Sequence, residues 1–259
     1  YLSVKKIDVA FIQETYCNEN LNQDFKLDWK GDVYHSHTTS NHSRGVCILL
    51  GENLDYNVTS FHHDTEGRKL LLNVKIHNVN YTLICIYAPN NIQEKKNFIE
   101  NLHAWCTEKA DSLKNVIIGG DFNCALENCD RKTKIQDKCS SALKNFLYDM
   151  NLIDTWRMKN ESTINFTFID PSNRGYDSRI DYIFMSRTIR NQIVSSCIQP
   201  APVPDHKAVI TAFNISTHSR GRGYWKLNTN VLHDEKYVDH INKIIDQTVL
   251  DYHDAGKKI

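Results

Sequence analysis

Val116-Ile117-Ile118-Gly119-Gly120-Asp121-Phe122-Asn123 joins an apolar run, two glycines and a pair of polar side chains. The run is short and β-branched, which predicts a buried strand rather than a helix. Gly119 and Gly120 let the backbone turn tightly at its end. If the extended geometry continues, alternation places Asp121 and Asn123 on one side. A carboxylate and an amide so placed can hold a water and a phosphate oxygen together. The plainer alternative is an Asx turn that closes the loop.

The same arrangement, polar groups at the end of an apolar run, recurs outward in both directions. Toward the N-terminus, Ile7–Ile12 predicts a buried strand ending in Ile12-Gln13-Glu14-Thr15. The ordinary fate of a glutamate is a solvated surface, but at a strand end Glu14 can project into a cleft at the sheet edge. Val46–Leu50 is another such strand. Residues 69–76 and 81–87 are apolar or alternating runs split by His77-Asn78-Val79-Asn80, a hairpin signal. The second run ends in Tyr87-Ala88-Pro89-Asn90. Toward the C-terminus, Phe166–Ile169, Ile180–Met185, Ile193–Ile198 and Ala208–Ile215 read as strands. Asp181 lies in Arg179-Ile180-Asp181-Tyr182, where a charge among apolar neighbours is costly unless partnered. His206, in Asp205-His206, is its natural partner, because a carboxylate fixes an imidazole's tautomer and raises its basicity. Asp205 alternates away and is free to approach a metal.

Two segments have helical spacing. Ile92, Phe98, Ile99, Leu102, Trp105 and Cys106 predict an amphipathic helix over 91–110, and Leu143, Phe146, Leu147 and Met150 a second one. Many strands with two interspersed helices suggest a two-sheet sandwich with helices outside. Several connections are too short for the crossovers of a singly wound parallel sheet.

Composition sets limits. At 259 residues and 41% hydrophobic content the chain can bury a full core. Its formal net charge of +0 excludes whole-molecule attraction to nucleic acid. Phosphate binding must therefore come from local groups such as Arg131-Lys132-Thr133-Lys134 or Arg187 with Arg190. The eight cysteines show neither a disulfide framework nor zinc spacing, and Cys47 and Cys85 sit inside apolar runs. No apolar run approaches the roughly 20 residues of a membrane span.

The ordered motifs, QET, YAPN, GDFN, RIDY and DH, resemble the endonuclease/exonuclease/phosphatase superfamily. The match is most like the apurinic-endonuclease-like domain of LINE-type, non-LTR retrotransposons. Cys129-Asp130-Arg131 looks like that branch's Asp-Arg loop. Gly223-Tyr224-Trp225-Lys226-Leu227-Asn228 looks like its linker toward a reverse transcriptase. The resemblance implies a four-layer α/β/β/α sandwich and Mg²⁺-dependent hydrolysis of DNA phosphodiesters, with Mn²⁺ as a substitute ion. It implies that Glu14 binds the metal with Asp205 near it. Asp121 activates the attacking water, Asn123 positions water or phosphate, and Asp181 orients His206, which contacts the phosphate. Tyr87 and Asn90 complete the phosphate cradle. Arg131, Thr167 and Ser178 are expected on the DNA backbone. It also implies DNA and a downstream reverse transcriptase as partners, intracellular location and action in the nucleus.

The expected organisation is a nuclease domain over 1–216, a linker over 217–230 and a helical segment over 231–259. Tyr237, Ile241, Ile244, Ile245 and Val249 form an apolar stripe on that last segment. Family members begin with a strand carrying an Asn of the metal site, whereas this sequence begins after it, so a fragment lacking one core strand, with impaired catalysis, is expected. Two other functions share the pattern: a phosphatase or RNA deadenylase on the same fold, and an inert transposon-derived fragment.

Overall fold

Six strands that send alternate apolar residues to opposite faces form the main sheet of the computed structural model, which describes residues 1–16, 29–38, 44–110, 112–215 and 233–254. The strands are β4 (Tyr56–His63), β5 (Lys69–Ile76), β6 (Val79–Tyr87), β7 (Ile117–Asp121), β8 (Leu152–Asp154) and β9 (Asp181–Ser186). Their order is β4-β5-β6-β7-β9-β8, and β6 with β7 is its parallel pair. The β5–β6 hairpin closes through His77 and Asn78, with φ of 45° and 68°. Two left-handed residues in a two-residue loop suit the right-handed twist of a hairpin.

One face of this sheet carries Leu71, Ile84, Ile86, Ile118, Tyr182 and Phe184. It is covered by α1 (Ile92–Lys109) and α2 (Ser140–Asp149) through Ile99, Leu102, Leu143 and Phe146. Asn91 caps α1 by accepting from the Gln93 and Glu94 amides, satisfying donors that the first turn leaves open.

The opposite face carries Leu70, Leu72, Val74, Leu83, Cys85, Ile117 and Met185. Two smaller antiparallel sheets pack on it. One is β1-β3-β2, built from β1 (Val9–Gln13), β2 (Gly31–Ser36) and β3 (Val46–Gly51). The other pairs β10 (Ile193–Pro200) with β11 (Lys207–Phe213). β1 crosses β6 and β7, whereas β11 crosses β9. The layers meet closely where the Phe11 ring of β1 lies over Gly119 of β7, leaving no room there for a Cβ. Gly119→Ala is therefore expected to destabilise the chain by about 1–3 kcal/mol, the usual cost of overpacking. A urea midpoint equal to that of the unchanged protein would show that the two layers are not held apart by this contact.

Three expectations change. Phe166–Ile169 forms no strand; Phe168 makes isolated bridges to Ser178 and His206. Thr167 turns inward, and Asp170 gathers the amides of Ser172, Arg174 and Tyr176, which folds this stretch into a loop. β2, β4 and β8 are strands beyond those expected, and Thr155–Lys159 forms a short α3 capped by Asp154. α3 packs on β9, β10 and β11.

The chain clusters into two compact units, Tyr1–Thr217 and His218–Ile259. In the second, α4 spans Glu235–Asp254 and exposes Ile244, Ile245 and Val249. The segments around 217–230, including the Gly223–Asn228 motif, lie outside the described residues. All cysteines that the structure describes are free thiols, and among the described residues no helix is long and apolar enough to cross a membrane.

Candidate active site

Register builds the centre of the site. Tyr87 of β6 pairs with Asp121 of β7, and Asp121 pairs with Asp181 of β9. The three residues thus form one rung across adjacent strands. Ile117 and Met185 face the space between the layers, and residues an even number of positions away share that face. Asp121 and Asp181 therefore point there too, beside Tyr87.

The opposite layer contributes the rest. Glu14 follows β1, and Asp205 and His206 precede β11. His206 Nδ1 lies 2.9 Å from Asp181 Oδ2. The pair bridges the two layers of the sandwich, rather than two neighbouring strands of one sheet. Phe168 meets the His206 ring edge-on, at 5.4 Å between centroids. With Nδ1 held by the carboxylate, Nε2 remains for another partner. Burial pulls the imidazole's pKa down. The Asp181 hydrogen bond and the charges of Asp181, Asp121 and Asp205 outweigh this and push it up to about 9.

Asp121 is buried, and burial together with the Asp181 charge raises its pKa well above the usual carboxylate range. The Asn123 amide, donating to Asp121 Oδ1 at 2.7 Å, works in the opposite direction. That bond is an Asx turn, and Asn123 has a left-handed φ of 48°. Asp121 and Asn123 are thus joined by the turn, not by continued strand alternation. Asn123 Nδ2 donates to Ala88 O at 2.9 Å, tying this turn to the segment after Tyr87.

Tyr87 donates to Glu14 Oε1. Burial first, then this bond, raises the phenol's pKa. Glu14 and Asp181 both add to the rise at Asp121, and Asp205 adds to that at His206. Four carboxylates and one imidazole therefore share one electrostatic neighbourhood. Ligand atoms of Asp121, Asp181 and His206 all lie within 4.8 Å of one another. An oxygen-rich set of this kind fits a hard divalent cation, and the mutual repulsion that raises Asp121 is what such a cation relieves.

The remaining candidates separate. Asn90 is exposed in the turn before α1. Arg131 lies partly exposed with Nη2 3.8 Å from Asp137 Oδ2. Thr167 is fully buried, and its hydroxyl accepts from the Ile180 and Asp181 amides at 3.0 and 3.1 Å. Ser178 is buried and pairs through its backbone with Phe168. The Thr167 hydroxyl thus braces the entry to β9, and Ser178 is tied to Thr167 and Phe168 through its backbone.

A family model described as the endonuclease/exonuclease/phosphatase family matches residues 2–218. The chain belongs to that family. It is also 34% identical over 235 residues to the transposon TX1 uncharacterized 149 kDa protein of Xenopus laevis. That match covers 90% of this chain and 18% of the relative, so the chain spans under a fifth of that protein's length. Among solved structures, an AP endonuclease from Archaeoglobus fulgidus has TM-score 0.67 and 21% identity, over 83% of this chain and 91% of that one. The endonuclease domain of TRAS1, a telomere-specific non-LTR retrotransposon, has TM-score 0.61 and 16% identity, over 83% and 90%. These two likenesses establish the shared fold.

Three residues beside the site escaped sequence reasoning. Lys95 of α1 is buried and donates to the Asn123 carbonyl, bracing the left-handed turn. Arg68 is buried over the Tyr87 ring, 5.2 Å from its centroid, and donates to Tyr87 O at 3.0 Å. Tyr16 donates to Glu14 Oε2 at 3.0 Å. The signal for Arg68 is a cation heading an apolar strand. For Lys95 the signal is a Lys at a core-facing helical position, four residues after the Asn91 cap.

Proposed function

We propose that this chain is a Mg²⁺-dependent endonuclease that nicks DNA at the target site during retrotransposition, with Mn²⁺ able to replace Mg²⁺. The observation that carries the proposal is the Tyr87–Asp121–Asp181 rung facing His206 across the sandwich. Glu14 and Asp205 would hold the ion. When bound, it supplies Lewis acidity to the phosphate and lowers the charge density of the carboxylate cluster. Asp121, whose proton affinity burial raises, takes the proton of the attacking water. Asn123 positions that water or a phosphate oxygen. His206, oriented by Asp181, donates from Nε2 to a non-bridging oxygen as negative charge builds. Tyr87, whose hydroxyl proton stays directed at Glu14, lines the cradle. Asn90 completes it by donating to the phosphate, and Arg131 contacts the DNA backbone.

The chain covers 18% of the transposon relative, which supports a place in a longer polyprotein; we propose that a reverse transcriptase region follows and that the reaction takes place on nuclear DNA. Supercoiled plasmid tests the reading directly. With Mg²⁺, the chain is expected to convert it to nicked circles ending in 3′-hydroxyl and 5′-phosphate, and to spare phosphoinositides and poly(A). Faster hydrolysis of either of those substrates would overturn the proposal.

A further inference from the structure

Glu14 and Tyr16 both have left-handed φ, 54° and 49°, a region that residues other than glycine seldom occupy. Such strain persists only where the surroundings over-determine it. Here the Thr15 amide donates to Gly45 O at 3.2 Å, and the Tyr16 amide to Arg44 O at 2.9 Å. Gly45 in turn donates to Gly67 O at 3.1 Å. Gly45 has φ 99°, and a Cβ there would collide with Thr15 Oγ1. The 14–16 segment is therefore keyed into a neighbouring turn that tolerates only glycine.

The consequence is a carboxylate held at both oxygens. Tyr87 donates to Glu14 Oε1 and Tyr16 to Oε2. Tyr87 is a core residue, so its place follows from packing. Tyr16 is 46% exposed, so no core contact drives its hydroxyl to Glu14; the pinned backbone does. An ionised carboxylate has about four lone-pair sites. Two phenols occupy one on each oxygen and leave the others for a cation.

We infer that Tyr16 is a positioning residue, whose hydroxyl fixes the Glu14 carboxylate in the one orientation that a divalent ion uses. The inference rests on the metal-dependent reading above. It concerns the ion's affinity rather than the chemical step, so the test needs no DNA.

Mn²⁺ is titrated into the protein, with free Mn²⁺ followed by electron paramagnetic resonance. Tyr16→Phe removes one oxygen from a half-exposed ring, and a melting curve checks that the fold is kept. Its Mn²⁺ affinity is expected to fall about tenfold, the scale of losing a partner that orients a metal ligand. Glu14→Gln weakens binding as well, and the double variant binds no more weakly than Glu14→Gln alone, because one residue acts through the other. Unchanged affinity in Tyr16→Phe overturns the inference. So does a double variant weaker than Glu14→Gln, which would mean that Tyr16 acts elsewhere. Failure of the unchanged protein to bind Mn²⁺ would overturn the metal-dependent reading along with it; the first two outcomes leave that reading standing.

Discussion

With Mg²⁺ supplied, His206→Ala is expected to nick plasmid at least ~10²-fold more slowly than the unchanged chain, as loss of a donor aimed at the transition state does. The reason is geometric. Asp181 holds Nδ1 at 2.9 Å, so Nε2 is already oriented before substrate arrives. Asp181→Asn keeps the shape but removes the charge that favours the imidazolium, and should also slow the reaction. The same pair gives a stability signature in the metal-free protein. The folded imidazole has a pKa of about 9 against an ordinary 6.5. A raised folded value means that the folded state binds the proton more tightly. The added stability is fully present below the unfolded value and is lost as pH rises through the folded one. The melting-temperature gap between the unchanged protein and His206→Asn, in chelator, should be widest below pH 6.5 and close as pH passes 9. A flat gap together with a near-normal nicking rate would leave His206 a packing residue of the Phe168 contact.

Much of this site was legible because its residues violate local rules. Asp181 among Ile180, Tyr182 and Ile183 demands a partner, and His206 is that partner. The glycines before Asp121 were expected to turn the backbone, but both lie inside β7, where Gly119 admits the Phe11 ring, and the turn falls at Asn123. The hairpin at His77-Asn78 does follow from the two apolar runs it separates. Periodicity, however, fixes only which side of its own strand a residue faces. It could not place Asp181 and His206 in opposite layers, because that depends on how β11 stacks on β9. Nor could it show that Asn123 reaches Asp121 through a left-handed turn, since continued extension predicts the same neighbourhood. Tyr16 was invisible for a related reason: its position depends on the turn at Arg44 and Gly45, remote in sequence. The alternation of β4, Tyr56 to His63, was present in the sequence but polar enough to pass for a loop. Phe166–Ile169 failed the other way. Its apolar residues suggested a strand, but Asp170 binds the amides of Ser172, Arg174 and Tyr176 locally, and such bonds compete with a ladder.

The largest expected loss of stability lies away from the reacting groups, at Arg179. Its guanidinium is buried between the rings of Trp156 and Tyr182, 4.9 and 4.5 Å from their centroids. It donates to both oxygens of fully buried Asp130, at 2.9 and 2.8 Å, and pairs with Asp154 at 2.6 Å. Arg157 adds a third bond to Asp130 at 2.6 Å. Two carboxylates and two guanidiniums thus neutralise one another inside the protein. Arg179→Met keeps most of the volume but leaves Asp154 without its cation and Asp130 half-paired. An uncompensated buried charge costs about 3–5 kcal/mol, so the melting temperature should fall by on the order of 10 °C for a domain of this size. Asp130→Asn should fall similarly. The double variant should lose less than the sum of the two, because each removes the other's stranded charge. Activity should follow for a separate reason. Arg179 lies two residues before Asp181, and its amide donates to Asp130 O at 2.7 Å. The network therefore sets the height at which Asp181 enters the rung. Nicking measured at a temperature where Arg179→Met is still folded should remain well below normal. A normal rate in folded Arg179→Met would show that the Thr167 hydroxyl, bonded to the Ile180 and Asp181 amides, holds the strand entry without it.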